Sequence, residues 1–302
     1  MSLTADRVTT SSRRTKQSNT RSPRPGGGRL LPTAILVLGA LYCVGPVVWV
    51  AVASTKGPAE LFTTFSFWPS FEGGFWYNLT HLLRYQDGIY LRWALNSLLY
   101  AGVGALLSVG VSVLAGYALA KYRFPGRNVL FYVILAGVLV PQITLAVPQY
   151  LLISELGLVN SYWSVLLPSV ISPYGIYLAR IYATAVVSDE LLEAGRIDGA
   201  GEYRLAWSVG LPPMLPGMVT LLLLQFVAIW NNFLLPYIMI SDGDRFPMTV
   251  GLFTMLNVSS SQPVLYSLVV MGVFLSVLPL IALFLFLQRF WRIDMISGGL
   301  KG

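Results

Sequence analysis

The chain has 302 residues, 55% of them hydrophobic and 11% charged, with a net charge of +7 and one cysteine. Together with a mean hydropathy of +0.67, this balance excludes an ordinary soluble domain and indicates a polytopic membrane protein. The lone Cys43 excludes an intrachain disulfide and a multi-thiolate metal site.

Residues 1–28 are rich in Ser, Thr, Arg, Pro and Gly. They cannot bury a core and read as a disordered basic tail. A helix needs roughly 20 mostly apolar residues to cross the hydrocarbon layer. Six stretches qualify: Leu31–Ala53, Ala94–Ala115, Val129–Leu151, Trp163–Tyr182, Leu215–Ile238 and Val264–Leu287. The third is the weakest, because Pro141 and Gln142 interrupt it. The first reads as a retained anchor, since no small-residue cleavage site follows a short apolar core. Residues 54–91 form a loop, 92–287 hold five spans, and 288–302 make a tail. The expected fold is an all-α membrane protein with six transmembrane helices.

Charge orients the bundle. Sixteen Lys/Arg fall in the N-terminal tail, the turn after the second span, the segment after the fourth and the C-terminus, against Lys56, Arg84, Arg92 and Arg245 on the other side. The positive-inside rule places both termini in the cytoplasm. Orientation also accounts for the +7 charge without nucleic acid as a partner; contact of the tail with anionic membrane lipid stays open.

Two absences narrow the function. There is no GxxxxGK[ST] run, so the chain lacks the phosphate loop of an ATPase. No Asp, Glu, His, Lys or Arg lies deep within an expected span, whereas proton-driven carriers and intramembrane enzymes usually need one. His81, the one histidine, sits in a loop without partners. No catalytic, metal or cofactor site is expected, and energy for any transport has to come from elsewhere.

The polar interruption at 188–212 is where a partner would act. Ser188 suits an N-cap, Asp189 and Glu190 suit a first helical turn, and Gly199 suits a left-handed stop. A helix over Asp189–Asp198 follows. Leu191, Ala194, Gly195 and Asp198 share one face, and Glu190, Glu193 and Ile197 another. Residues 189–204 hold five acids and two bases. A lipid-surface helix usually carries Lys/Arg on its polar face, so these carboxylates favour a protein partner.

The run Glu193-Ala194-Gly195, then Gly199, then Val209-x-Leu211-Pro212 resembles the EAA loop of binding-protein-dependent ABC importer permeases. Gly195 replaces the usual Ala, at about 1 kcal/mol of helix propensity, and Val209 replaces Ile. Other segments resemble the smaller permease of maltose-type carbohydrate systems. These are Asn96-Ser97, Gly116 to Arg127, Pro148-Gln149-Tyr150, Leu156 to Trp163, Trp230 to Phe233, Phe286 to Phe290 and Gly298 to Gly302. The resemblance covers residues 31–302 and implies a type I ABC importer permease in a bacterial inner membrane. It implies that Glu193, Ala194 and Gly199 form a coupling helix seated in a cleft of an ATPase that binds ATP and Mg; the expected docking set is completed by Glu190, Gly195, Asp198, Leu211 and Pro212. It further implies a homologous second permease, two ABC ATPase subunits and an extracytoplasmic solute-binding protein. The tail at 298–302 becomes a second ATPase contact, unless it is merely a frayed terminus.

For a sugar path the candidates are Gln142, Gln225, Trp230, Asn231 and Asn232, because amides bond hydroxyls and indoles stack on sugar faces. The same amides could equally be helix–helix glue worth around 1 kcal/mol each. Glycerol phosphate remains an alternative cargo, and a non-transport scaffold an alternative role.

Overall fold

The computed structural model describes residues 30–298, with side chains over 31–290. The N-terminal tail at 1–28 and residues 299–302 lie outside the described residues. Every regular element among the described residues is helical. The chain divides into two units at Pro46/Val47. The long helix α1 spans Leu30–Ala53, and all further helices belong to the second unit.

The longer of those helices are α2 (Gly74–Arg84), α3 (Ile89–Lys121), α4 (Arg127–Leu139), α5 (Gln142–Glu155), α6 (Trp163–Val170), α7 (Pro173–Val186), α8 (Asp189–Ile197), α9 (Leu215–Trp230), α10 (Met248–Ser259) and α11 (Leu265–Gly298). Five helical stretches among the described residues are long and apolar enough to cross a membrane. They become six when α4 and α5 count as one broken span, in accord with the expected six.

The differences from the sequence reading are local and have causes. At Val140–Pro141 the third span turns by 106°. Proline lacks an N–H and forces the preceding residue into an extended conformation, here with ψ 121°. The fourth span is interrupted at Ile171, with Pro173 opening α7 and the Ser172 hydroxyl accepting the Gly175 N–H. The fifth stops at Trp230 rather than continuing to residue 238, and a separate helix covers Leu234–Met239. Helix α10 lies between the fifth and sixth spans, where no element was expected.

Helix α3 is central, packing against α6, α7 and α9. Its buried face includes a row of small residues, Ser97, Ala101, Gly104, Ala105, Ser108, Ser112 and Gly116. Membrane helices lack a hydrophobic drive toward one another and associate by close packing, which small residues permit. A Cβ on Gly116 would lie 2.6 Å from the Arg180 backbone nitrogen. At the other end, Asn96 donates to the carbonyls of Asp244 and Phe246, and Ser97 accepts the Met248 N–H. Asn160, at φ 58°, accepts from the Ser241 and Asp242 amides. The Asn96-Ser97 and Leu156–Trp163 segments thus fix the 241–248 loop onto α3.

Candidate functional site

Two polar sites stand out, a surface at the Lys121 end of α3 and a cavity where three spans break. The first is the 188–212 segment. The Ser188 hydroxyl accepts the Leu191 N–H, starting α8, and also bonds the Glu190 carboxylate. At the far end Gly199 adopts φ 77°, and the Ala200 and Gly199 amides donate to the Gly195 and Arg196 carbonyls, a Schellman closure that needs a left-handed residue. The helix runs Asp189–Ile197, with Asp198 as its C-cap. Its expected bounds therefore hold to within one residue.

The orientation of α8 separates its residues. Leu192 is buried with Leu205, Leu211 and Met214 in an apolar cluster around Tyr117. Gly195 faces inward: a Cβ there would lie 2.5 Å from Leu205 Cδ2, a packing reason for glycine in place of alanine. Glu190, Glu193, Ala194, Asp198 and Gly199 are exposed, as are Leu191 and Ile197, while Leu211 is buried and Pro212 exposed. Tyr203 and Trp207, 78% and 50% exposed, add aromatic area to the same segment. Their spacing of four on a helical turn was visible in sequence and passed over.

Two of the acids form ion pairs within the chain. Lys121 Nζ donates to the Val187 carbonyl at 2.6 Å and to Asp189 Oδ1 at 2.7 Å. Arg196 forks onto Glu202 at 2.7 and 3.2 Å. Glu193 and Asp198 form no ion pair among the described residues. The hydrogen bond from Lys121 lowers the Asp189 pKa, and that from Arg196 lowers that of Glu202. A depressed carboxyl stabilises the fold above its unfolded pKa, ~3.9 for Asp, and loses this as pH falls through the folded value. The thermal midpoint of wild type should therefore exceed that of Asp189→Asn at neutral pH, with the gap closing below about pH 4. A gap unchanged down to pH 2 would rule out the tether.

The second site is a cavity of about 260 Å³ at the breaks of the third, fourth and fifth spans. Its polar lining is Gln142, Gln149, Ser169, Ser172, Gln225 and Asn232, with no charged residue among the lining side chains. Gln225, 7% exposed, donates from Nε2 to Ser172 Oγ at 2.7 Å. Behind it, the Ser108 and Ser112 hydroxyls are buried without hydrogen-bond partners among the described residues.

Three of the five expected path residues meet here, and two do not. Trp230 is buried and stacked on Phe226. Asn231 turns its amide back to the Val227 carbonyl of its own helix. The reason is periodicity: Gln225, Ala228, Ile229 and Asn232 share one face at helical spacing, which the neighbours at 230 and 231 leave. Gln149 and Ser172 were missed, although Ser172 precedes Pro173, which marks the break of the fourth span.

One charged group is set deeper than expected. Arg180 lies six residues before the end of α7, about 9 Å inside it. Its guanidinium stands 3.5 Å from the centre of the Phe131 ring, a cation–π contact that offsets partial desolvation.

Comparison with known proteins agrees with this architecture. A curated relative, the arabinooligosaccharides transport system permease protein AraQ of Halalkalibacterium halodurans, is 35% identical over 217 residues, 72% of this chain and 76% of that protein. The diacetylchitobiose uptake system permease protein NgcG of Streptomyces coelicolor is 28% identical, covering 85% of this chain and 83% of its own. The crystal structure of a bacterial ABC transporter involved in the import of the acidic polysaccharide alginate superposes with a TM-score of 0.75 at 21% identity, covering 86% of this chain and 95% of that one, and so shares the fold. Residues 109–292 match the family of binding-protein-dependent transport system inner membrane components. The chain belongs to that family, as a multi-pass permease of an ABC transport system.

Proposed function

We propose that this permease imports a neutral sugar or oligosaccharide, delivered by a solute-binding protein and passed along the amide-lined cavity. The observation that carries the reading is the cavity itself: three broken spans converge on uncharged amides and hydroxyls, which suit a polyhydroxylated solute. Irregular backbone at membrane depth is tolerated where it lines a polar cavity. The absence of a cation among the lining residues favours a neutral cargo over glycerol phosphate.

The energy comes from two ATPase subunits, which bind ATP and Mg. One docks on the exposed part of α8, with Glu193, Ala194 and Asp198 flanked by Leu191 and Ile197. Glu190 and Gly199 shape the ends of that surface, while Gly195 and Leu211 support it from behind and Pro212 adds to its exposed part. A homologous second permease completes the path, and both termini face the cytoplasm with the ATPase. The described chain offers no catalytic group of its own for this work.

Uptake by Asn232→Ala and Asn231→Ala separates path from packing. Asn232→Ala should slow sugar uptake severalfold at unchanged membrane abundance, whereas Asn231→Ala should leave it near wild type. Equal effects of the two would remove the cavity from the path.

A further inference from the structure

Residues 54–84 follow the first span and lie at the end of α3 opposite Lys121. A network of polar contacts ties them together. Lys56 is buried and donates to the Phe65 carbonyl at 2.6 Å. Asn78 Nδ2 donates to the Ser54 and Lys56 carbonyls. Glu60 accepts from the Gly57 amide and the Ser70 hydroxyl, and Thr55 accepts the Ser70 N–H. Gly74 is pressed against this turn, a Cβ there meeting the Thr55 carbonyl oxygen at 2.5 Å.

This polar lock turns apolar side chains outward. Phe62, Phe65, Phe67, Trp68, Phe71 and Trp76 are each more than half exposed, Phe71 at 87%. Between Gly57 and Leu83 there is no Lys or Arg, and the acids are Glu60 and Glu72 alone. A solvated loop would not order its hydrogen bonds inward and its aromatics outward.

Depth identifies what covers them. The Phe75 ring contacts that of Phe274 on α11. Phe274 stands fifteen residues before Arg289, the first charge on that helix, or about 22 Å along its axis. The hydrocarbon layer is about 30 Å thick, which leaves Phe75 about 8 Å inside the boundary remote from Arg289; Phe62, against Tyr266 about 34 Å from Arg289 along the axis, reaches that boundary. Trp concentrates at that level, and Phe supplies the apolar face of segments lying in the interface. The missing cations argue against recognition of anionic headgroups.

We propose that residues 62–76 are an interfacial anchor, a prefolded aromatic loop seated in the headgroup–acyl boundary of the leaflet opposite the α8 surface. It engages zwitterionic lipid and fixes the height of α2 and α3 in the bilayer. This is independent of which solute is carried.

The test uses the full chain reconstituted in phosphatidylcholine vesicles, in a Cys43→Ser background. Nitroxide-labelled Trp68→Cys and Phe71→Cys variants are measured by power saturation. Collisions with oxygen should exceed those with a water-soluble nickel chelate. Collisions dominated by the nickel chelate would place the loop in water, and exclusion of both reagents would place it under protein; either overturns the proposal. In the otherwise unmodified chain, Trp68→Phe with Trp76→Phe should remove a fluorescence component quenched by lipids brominated near the headgroup. No loss of that component would also overturn it.

Discussion

Glu193→Lys is expected to leave the protein inserted at normal abundance and to lower ATP-dependent uptake by about 100-fold or more. The side chain is exposed on α8, makes no ion pair among the described residues, and lies on the same helix as exposed Leu191 and Ile197. Nothing in the described fold depends on it, so inserted yield should not change. A docking surface behaves differently, because like charges juxtaposed at an interface cost several kcal/mol, and every 1.4 kcal/mol is tenfold. Asp189→Asn is the matched control. That carboxylate already bonds Lys121, so its neutralisation should alter the tether and affect uptake far less. Uptake in vesicles, normalised to membrane protein, checks both. Wild-type transport by Glu193→Lys would remove α8 as the site of energy input.

Gly116→Ala should cost about 1–3 kcal/mol, the usual range for overpacking, and lower the thermal midpoint in detergent. The added methyl would stand 2.6 Å from the Ala179 methyl and the Arg180 backbone nitrogen. A flexible side chain could swing away, but a helix backbone can relieve the contact only by moving α7 from α3. Gly102→Ala, on the same helix with nothing within 4 Å of its added methyl, should be neutral or slightly stabilising, since alanine favours helix over glycine. Equal midpoints for the two variants would show that the α3–α7 contact is not tight.

The parts legible in sequence are those governed by local rules. Ser188 and Gly199 delimit α8 because a cap needs a side-chain acceptor and a stop needs a left-handed residue, and both are written into residue type. The six spans follow from length and apolarity in the same way. Legibility failed where facing decides. Trp230, Asn231 and Asn232 are one motif in sequence, yet helical rotation sends the indole into the core, one amide back to its own helix and one into the cavity. Gly195 resembled part of a docking face, but its contact is Leu205, a residue set by the turn after Gly199. Arg180 looked like a boundary charge because the apolar stretch fades at residue 182. The helix continues to Val186, and the arginine is held by a ring from α4 that no local pattern announces.

Ser172 closes the N-terminus of α7 and is also the acceptor for Gln225. A solute hydroxyl that takes the one Gln225 N–H held by Ser172 exchanges one hydrogen bond for another, with little net gain, and frees Ser172 to bond elsewhere. Weak retention of this kind suits a conduit, where a site has to release what it admits. The same exchange loosens the break between α6 and α7, so on the proposed path a solute and the bend of the fourth span would be thermodynamically linked through a single hydroxyl.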